Sequence, residues 1–251
     1  MKILVEGQLL EYKDEGKGRV VVLLHGWGAN LSTFDELAKN LATSFRVIRF
    51  DFPGFGASPK PADSWGVSEY AKLLAALIKK LKIDDVYAVI GHSFGGRVII
   101  KGADMGVLKP EKVVLVGSAG VKPARTAKKS VFGAVAKSGK VLTSIPGLKS
   151  LRPALRKRLY SAAGSNDYLA AQNMRQIFLN TIREDLLPFV HSIKQPALLI
   201  WGEDDHETPV SDAQKMIKEL PDARLTVIPD AGHFVYLDDP GAVNKELAVF
   251  L

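Results

Sequence analysis

The 251-residue chain has no cysteine, and only four methionines and three tryptophans. Without cysteine it can hold no disulfide framework, no Cys-ligated zinc or iron–sulfur site and no thiol nucleophile. Long apolar runs are also missing. Stretches such as Val20–Leu24 have strand length and fall far short of the about 20 residues that a membrane span requires. The N-terminus, Met1-Lys2-Ile3-Leu4-Val5-Glu6, meets a charge after three apolar side chains, too soon for the apolar core of a secretion signal. A cytoplasmic protein is therefore expected. The 47% hydrophobic content argues against disorder. A chain of this length buries roughly 70–75% of its unfolded surface and needs no metal or disulfide staple.

Acidic residues are absent from one long segment. Between Ala119 and Asn166 there are eleven Lys/Arg (Lys122, Arg125, Lys128, Lys129, Lys137, Lys140, Lys149, Arg152, Arg156, Lys157, Arg158) and no Asp or Glu. The rest of the chain carries 23 Lys/Arg against 27 Asp/Glu, so the net charge of +7 belongs to this segment. Nucleic-acid binding is poorly supported, because Trp27, Trp65 and Trp201 lie outside the segment and it offers just Phe132 and Tyr160 for stacking. Three readings remain. The bland one is a solvated helical surface. The second is steering of anionic substrates toward a cleft. The third is peripheral contact with anionic membrane through Leu151–Tyr160, which mixes basic and apolar residues as interfacial helices do.

Strand-like runs alternate with helix-like stretches, which predicts a mostly parallel sheet covered on both faces. Val20–Leu24, Arg46–Phe50, Val86–Ile90, Lys112–Val116 and Ala197–Trp201 are nearly continuous in Val, Ile and Leu, as strands buried on both sides are. Leu225–Ile228 is a sixth. Ile3–Glu6 and Leu9–Tyr12 read as an antiparallel hairpin turning at Gly7-Gln8. Tyr70, Leu73, Leu74, Leu77, Ile78 and Leu81 form one helical stripe, with Ser68 as the expected N-cap. Phe94–Met105, Pro209–Leu220 and Pro240–Leu251 are further helices. From Gly120 to about Gln195 the strand rhythm stops, and helical pieces are broken by prolines and glycines. This divides the chain into a core, 1–119 and 196–251, and a helical cap, 120–195.

Gly91-His92-Ser93-Phe94-Gly95-Gly96 follows a strand and opens a helix. A serine at such a turn is lifted above the sheet, beside the free N–H groups of a helix N-terminus. The alternative is an ordinary turn with a capping serine. A serine nucleophile needs a base, oriented in turn by a third group. Of five histidines, His233 lies just past the last strand, in Asp230-Ala231-Gly232-His233-Phe234. His92 should point away from the serine, His25 sits in a tight turn, and His191 and His206 lie in polar surroundings. The loop Gly202-Glu203-Asp204-Asp205-His206-Glu207-Thr208-Pro209 offers four carboxylates; Asp205 is favoured as the acid, with Asp204 the runner-up. The order Ser93, Asp205, His233 differs from both well-known protease orders.

These motifs together resemble the α/β-hydrolase superfamily along essentially the whole chain. His25-Gly26-Trp27-Gly28 resembles its oxyanion-hole turn, and Asp51-Phe52-Pro53-Gly54-Phe55-Gly56-x-Ser58 its next loop. Gly91–Gly96, Gly202-x-x-Asp205-x-x-x-Pro209 and Gly232-His233-Phe234 complete the set. The resemblance implies an α/β fold with a mostly parallel eight-stranded sheet, helices on both faces and a helical cap after the sixth strand. It implies backbone oxyanion donors at Trp27 and Phe94, and a substrate pocket formed by Trp27, Phe94, Phe132, Leu142, Tyr160 and Phe178. Asp51, Gly54 and Gly56 are assigned to loop packing. Position 59 is proline, so no dinucleotide fingerprint exists, and no cofactor or metal is expected.

The subgroup it resembles is that of small prokaryotic carboxylesterases and carbon–carbon bond hydrolases. Ser93 argues against dehalogenases and epoxide hydrolases of this fold, which carry an aspartate nucleophile. The carbon–carbon hydrolases commonly have Asn where His92 stands and Trp soon after the catalytic histidine, where Phe234-Val235-Tyr236 stands. The expected function is cleavage of esters of small carboxylic acids through an acyl-enzyme. Alternatives are hydrolysis of ring-cleavage diketones, a lyase or a transferase on the same machinery, and a non-enzymatic receptor for a small ligand.

Overall fold

The computed structural model describes residues 1–122 and 174–251. Eight strands form one sheet: β1 (Lys2–Val5), β2 (Gln8–Gly16), β3 (Val20–Leu24), β4 (Arg46–Phe50), β5 (Val86–His92), β6 (Lys112–Val116), β7 (Ala197–Gly202) and β8 (Ala223–Ile228). Their spatial order is β1-β2-β4-β3-β5-β6-β7-β8. β1 with β2 and β2 with β4 run antiparallel, and every other pair is parallel. The five nearly continuous apolar runs are the inner parallel strands β3 to β7, as burial on both faces requires, whereas β8 at the sheet edge is half-exposed and carries Arg224 and Thr226.

Successive strand residues point to opposite faces, so each strand feeds two cores. On one side Val22, Leu24, Ile48, Phe50, Val89, Leu115, Leu199 and Trp201 pack with residues of three helices. These are α2 (Val67–Lys80), α3 (Phe94–Asp104) and α5 (Val210–Glu219). On the other, Val21, Leu23, Val47, Ile90, Val114, Val116, Leu198 and Ile200 pack with α1 (Asp35–Leu41), α6 (Val235–Asp238) and α7 (Pro240–Phe250). Helix α4 (Arg175–Arg183) and a 3-10 stretch, Leu187–Ser192, precede β7; Ile177, Leu186, Val190 and Ile193 join the first core. Among the described residues no helix is long and apolar enough to cross a membrane.

Three local expectations are corrected. The hairpin turns at Glu6-Gly7, one residue earlier than expected, with Val5 paired to Gln8. Both turn residues have positive φ, 45° and 76°, the geometry that favours glycine in second place and matches strand twist. Helix α2 is capped by Gly66 instead of Ser68; the Gly66 N–H donates to Glu69 Oε2 at 2.8 Å, so the glutamate side chain closes the first turn. Pro209 caps α5 from outside, because its ψ of 153° is extended. Helices α1 and α6 were not anticipated: they span only seven and four residues, too short for a periodic stripe to show.

Along the sheet β3 is flanked by β4 and β5, and from it the parallel strands follow in chain order, β4 on one side and β5 to β8 on the other. This is the topological switch point, where open α/β sheets place ligands outside the carboxyl ends of their strands. The loops after β3, β5, β6, β7 and β8 all emerge at that edge.

Candidate active site

Ser93 stands between the end of β5 and the start of α3, with φ 49° and ψ −108°. That is a sparsely populated conformation for a residue with a side chain, and it costs of order 1–3 kcal/mol. The surroundings hold it. Its N–H donates to Val116 O at 3.1 Å, and its carbonyl accepts from Gly96 and Ala119 N–H at 3.0 and 3.1 Å. Glycine is required on either side because strand and helix nearly touch. A Cβ on Gly91 would lie 2.7 Å from the Gly95 carbonyl carbon, and one on Gly95 would lie 2.2 Å from Leu24 O.

The turn after β3 lies over the same point: a Cβ on Gly26 would approach Ser93 Cβ to 3.3 Å and His92 Nδ1 to 2.8 Å. Phe94, first residue of α3, has an N–H with no partner inside the helix, as at every helix N-terminus. Trp27, Ser93, Phe94 and Phe178 line one cleft of about 350 Å³, part of it open to solvent. Trp27 meets Phe94 and Phe178 ring to ring, at 5.5 and 5.1 Å. Phe132, Leu142 and Tyr160, and every Lys and Arg of the basic segment except Lys122, lie outside the described residues, as does most of the expected cap, 120–195.

Asp205 and His233 meet at the same sheet edge. His233 Nδ1 lies 2.8 Å from Asp205 Oδ2. The carboxylate is saturated: Oδ1 accepts the N–H groups of Glu207 and Thr208, both at 2.9 Å, and Oδ2 also faces Thr208 Oγ1 at 2.8 Å. Burial pushes the Asp205 carboxyl up, but the hydrogen bond and charge of His233, with the Thr208 amide and hydroxyl, outweigh it and hold it below the usual carboxylate range. Asp205 is 2% exposed. Asp204, the runner-up, is exposed and donates its N–H to Ala231 O.

Ser93 Oγ makes no hydrogen bond to His233 in this structure; the imidazole Nε2 instead has Glu207 Oε2 at 3.5 Å. Catalytic serine–imidazole bonds are commonly long before substrate arrives. The two segments are nevertheless tied together. His92, adjacent to Ser93, donates Nε2–H to His233 O at 3.0 Å, and the two rings lie 4.7 Å apart.

Sequence reasoning passed over three residues here. Thr208 bridges Asp205 and Gly117 O, the latter at 2.9 Å; a hydroxyl just before the loop proline was its only signal. Glu207 is one of the four loop carboxylates, and nothing in the sequence sets it apart from Asp204 or Glu203. Arg97 was visible as a lone charge among Val98, Ile99 and Ile100, yet it is buried in the cleft wall.

The two histidines beside the elbow are fully buried. His25 accepts Phe52 N–H at Nε2 and contacts Gly26 O through Nδ1, at 3.0 and 2.8 Å. Burial lowers His25 to about 4 and His92 to about 3, the nearby His233 adding to the second. The unfolded chain therefore takes up protons near 6.5 that the folded chain refuses. Stability is complete above that pH and is lost as pH falls toward 4. At pH 4.5 each histidine withdraws about 2–3 kcal/mol. Urea unfolding of His92→Asn should thus show a pH 7 to 4.5 stability loss about 2 kcal/mol smaller than wild type. Equal losses would contradict the assignment.

Residues 21–246 match the alpha/beta hydrolase family, and the chain belongs to it. The chain is 31% identical to the dihydrolipoyllysine-residue acetyltransferase component of the acetoin cleaving system of Pseudomonas putida, over 100% of this chain and 68% of that protein. It is 26% identical to 2-hydroxy-6-oxo-6-phenylhexa-2,4-dienoate hydrolase of Burkholderia cepacia, over 96% of this chain and 91% of that enzyme. Among solved structures, a thermophilic esterase from Thermogutta terrifontis superposes with TM-score 0.75 at 22% identity, covering 100% of this chain and 97% of that one. The eight-stranded, mostly parallel sheet is that of the α/β-hydrolase fold.

Proposed function

We propose that the protein is a serine hydrolase that cleaves esters of small carboxylic acids through an acyl-enzyme. The observation that carries this reading is the 2.8 Å contact between His233 Nδ1 and Asp205 Oδ2 at the sheet edge where Ser93 sits on a strained elbow. Asp205 accepts a hydrogen bond from Nδ1–H and keeps its negative charge, which fixes the tautomer and leaves Nε2 as the basic atom. Nε2 takes the Ser93 hydroxyl proton as Oγ bonds to the substrate carbonyl carbon. The resulting oxyanion is held by the N–H groups of Trp27 and Phe94, and each such donor typically contributes about 10²–10³ in rate. The intermediate collapses, the carbon–oxygen bond to the alcohol breaks, and imidazolium protonates the alcohol. Water then repeats both halves on the acyl-enzyme, and carboxylic acid leaves.

A carbon–carbon hydrolase is the second reading, because the Burkholderia cepacia relative bears that activity in its name. One panel separates the two: 4-nitrophenyl esters from acetate to dodecanoate, with a ring-cleavage diketone alongside, and fluorophosphonate labelling of the serine. Ester turnover with stoichiometric labelling of Ser93 is expected. Turnover of the diketone alone would select the second reading, and no turnover without labelling would overturn both.

A further inference from the structure

The cleft in front of Ser93 has a polar corner that the catalytic reading leaves unused. Arg97 lies one helical turn past Ser93 on α3 and is only 5% exposed. Its Nη2 donates to Thr181 O and Glu184 O, carbonyls at the C-terminal end of α4. Among the described residues nothing accepts from Nη1, and Nε is buried without a partner. The adjacent carboxylates are committed elsewhere. Glu184 Oε1 pairs with Lys101 Nζ at 3.0 Å, and Asp185 Oδ1 accepts the N–H groups of Lys122 and Leu187 at 3.2 Å. Thr181 is 2% exposed, and its hydroxyl is also buried without a partner. Both residues line the cleft with Ser93, Trp27, Phe94 and Phe178.

A guanidinium buried with no carboxylate in hydrogen-bond contact is expensive, and so is a buried hydroxyl with no partner. Two such groups side by side in a cleft wall have a common remedy in a ligand that accepts from both. We propose that Arg97 and Thr181 form a carboxylate-binding subsite, so that the favoured substrate is a short ester whose acyl part ends in a carboxylate. The proposal rests on the serine-hydrolase reading. Burial lowers Arg97 to about 10 against the opposing pull of the Glu184 and Asp185 charges, so it stays charged at neutral pH. Its planar fork suits a carboxylate, and among the described residues the cleft lining holds no second cation for a phosphate dianion. The Arg97 backbone N lies 3.4 Å from Ser93 O and both residues line the same cleft, so the carboxylate sits a few bonds from the attacked carbonyl.

The test compares monomethyl adipate with methyl hexanoate, and monomethyl glutarate with methyl pentanoate, by methanol release. Hydrogen bonds to a charged group imply a preference in kcat/KM of about 10–100-fold for the monoesters. Arg97→Met and Arg97→Lys should cut that preference at least tenfold, with folding checked by circular dichroism and Ser93 labelling. Thr181→Val removes a hydroxyl that bonds nothing among the described residues; it should fold normally and lower the preference several-fold. Because the cation is buried, the preference should survive 0.5 M salt. A preference that salt abolishes and Arg97→Met leaves intact would assign it to surface charge and overturn the subsite. Should both Arg97 variants fail to fold, the wild-type ratio and Thr181→Val decide: no preference, or one unmoved by Thr181→Val, overturns it. Cleavage of neutral 4-nitrophenyl esters without carboxylate preference sinks this inference alone, whereas failure on every ester sinks the parent reading and this one with it.

Discussion

Ser93→Ala is expected to fold as the wild type does and to lose about 10⁴–10⁶ in ester turnover, the range seen when a serine nucleophile is removed from a working triad. The fold should survive because the Ser93 side chain carries no hydrogen bond of the core; its backbone does, through Val116 O, Gly96 N and Ala119 N. What alanine keeps is the Cβ, and with it the cost of φ 49°. Ser93→Gly removes that cost as well. It should therefore be as inactive as Ser93→Ala but more stable by about 1 kcal/mol, the relief at a left-handed position exceeding the entropy that glycine adds to the unfolded chain. Urea midpoints of the two variants measure the difference, and 4-nitrophenyl ester hydrolysis measures the activity. Residual turnover in Ser93→Ala within tenfold of wild type would remove the covalent route. A glycine variant less stable than the alanine one would mean that the elbow stores no strain.

The strands were readable because burial on both faces removes any need for polar residues. Val20–Leu24, Arg46–Phe50 and Lys112–Val116 end where the apolar runs end. Even there one residue escaped: Arg49 is buried in β4, held by Glu15 and Asp35, and nothing in a five-residue run announces partners 34 and 14 positions away. Short helices were lost for want of periods to count, and the hairpin slipped by one residue because Gly7 can stand first or second in a tight turn. At the candidate site, Asp205 and His233 stood out by residue type in loops at strand ends, and the structure brings them to 2.8 Å. Thr208, Glu207 and Arg97 could not be assigned, because their meaning lies in which chain segment folds against them. Thr208 is bound to Gly117 across 91 positions and Arg97 to Thr181 across 84.

Asp205→Asn is the sharpest test of how the imidazole is held, and its outcome follows from the backbone. Oδ1 accepts two amide N–H groups, from Glu207 and Thr208. An asparagine must leave its carbonyl oxygen there, since turning its NH₂ toward two N–H donors would set donor against donor. The NH₂ is thereby forced into the place of Oδ2, facing His233 Nδ1. There it donates, so Nδ1 must accept, and the ring proton moves to Nε2. A histidine protonated at Nε2 cannot take the Ser93 proton. Turnover at neutral pH is expected to fall about 10³–10⁴-fold with the fold intact, as for other triads given the wrong tautomer. Asp204→Asn, one position away and exposed, should change activity less than threefold. The rate comparison is supported by the imidazole nitrogen resonances of His233, which should report Nδ1–H in the wild type and Nε2–H in Asp205→Asn. A large loss in Asp204→Asn with little in Asp205→Asn would reverse the assignment of the acid. Comparable small losses in both would mean that His233 needs no carboxylate to act as a base.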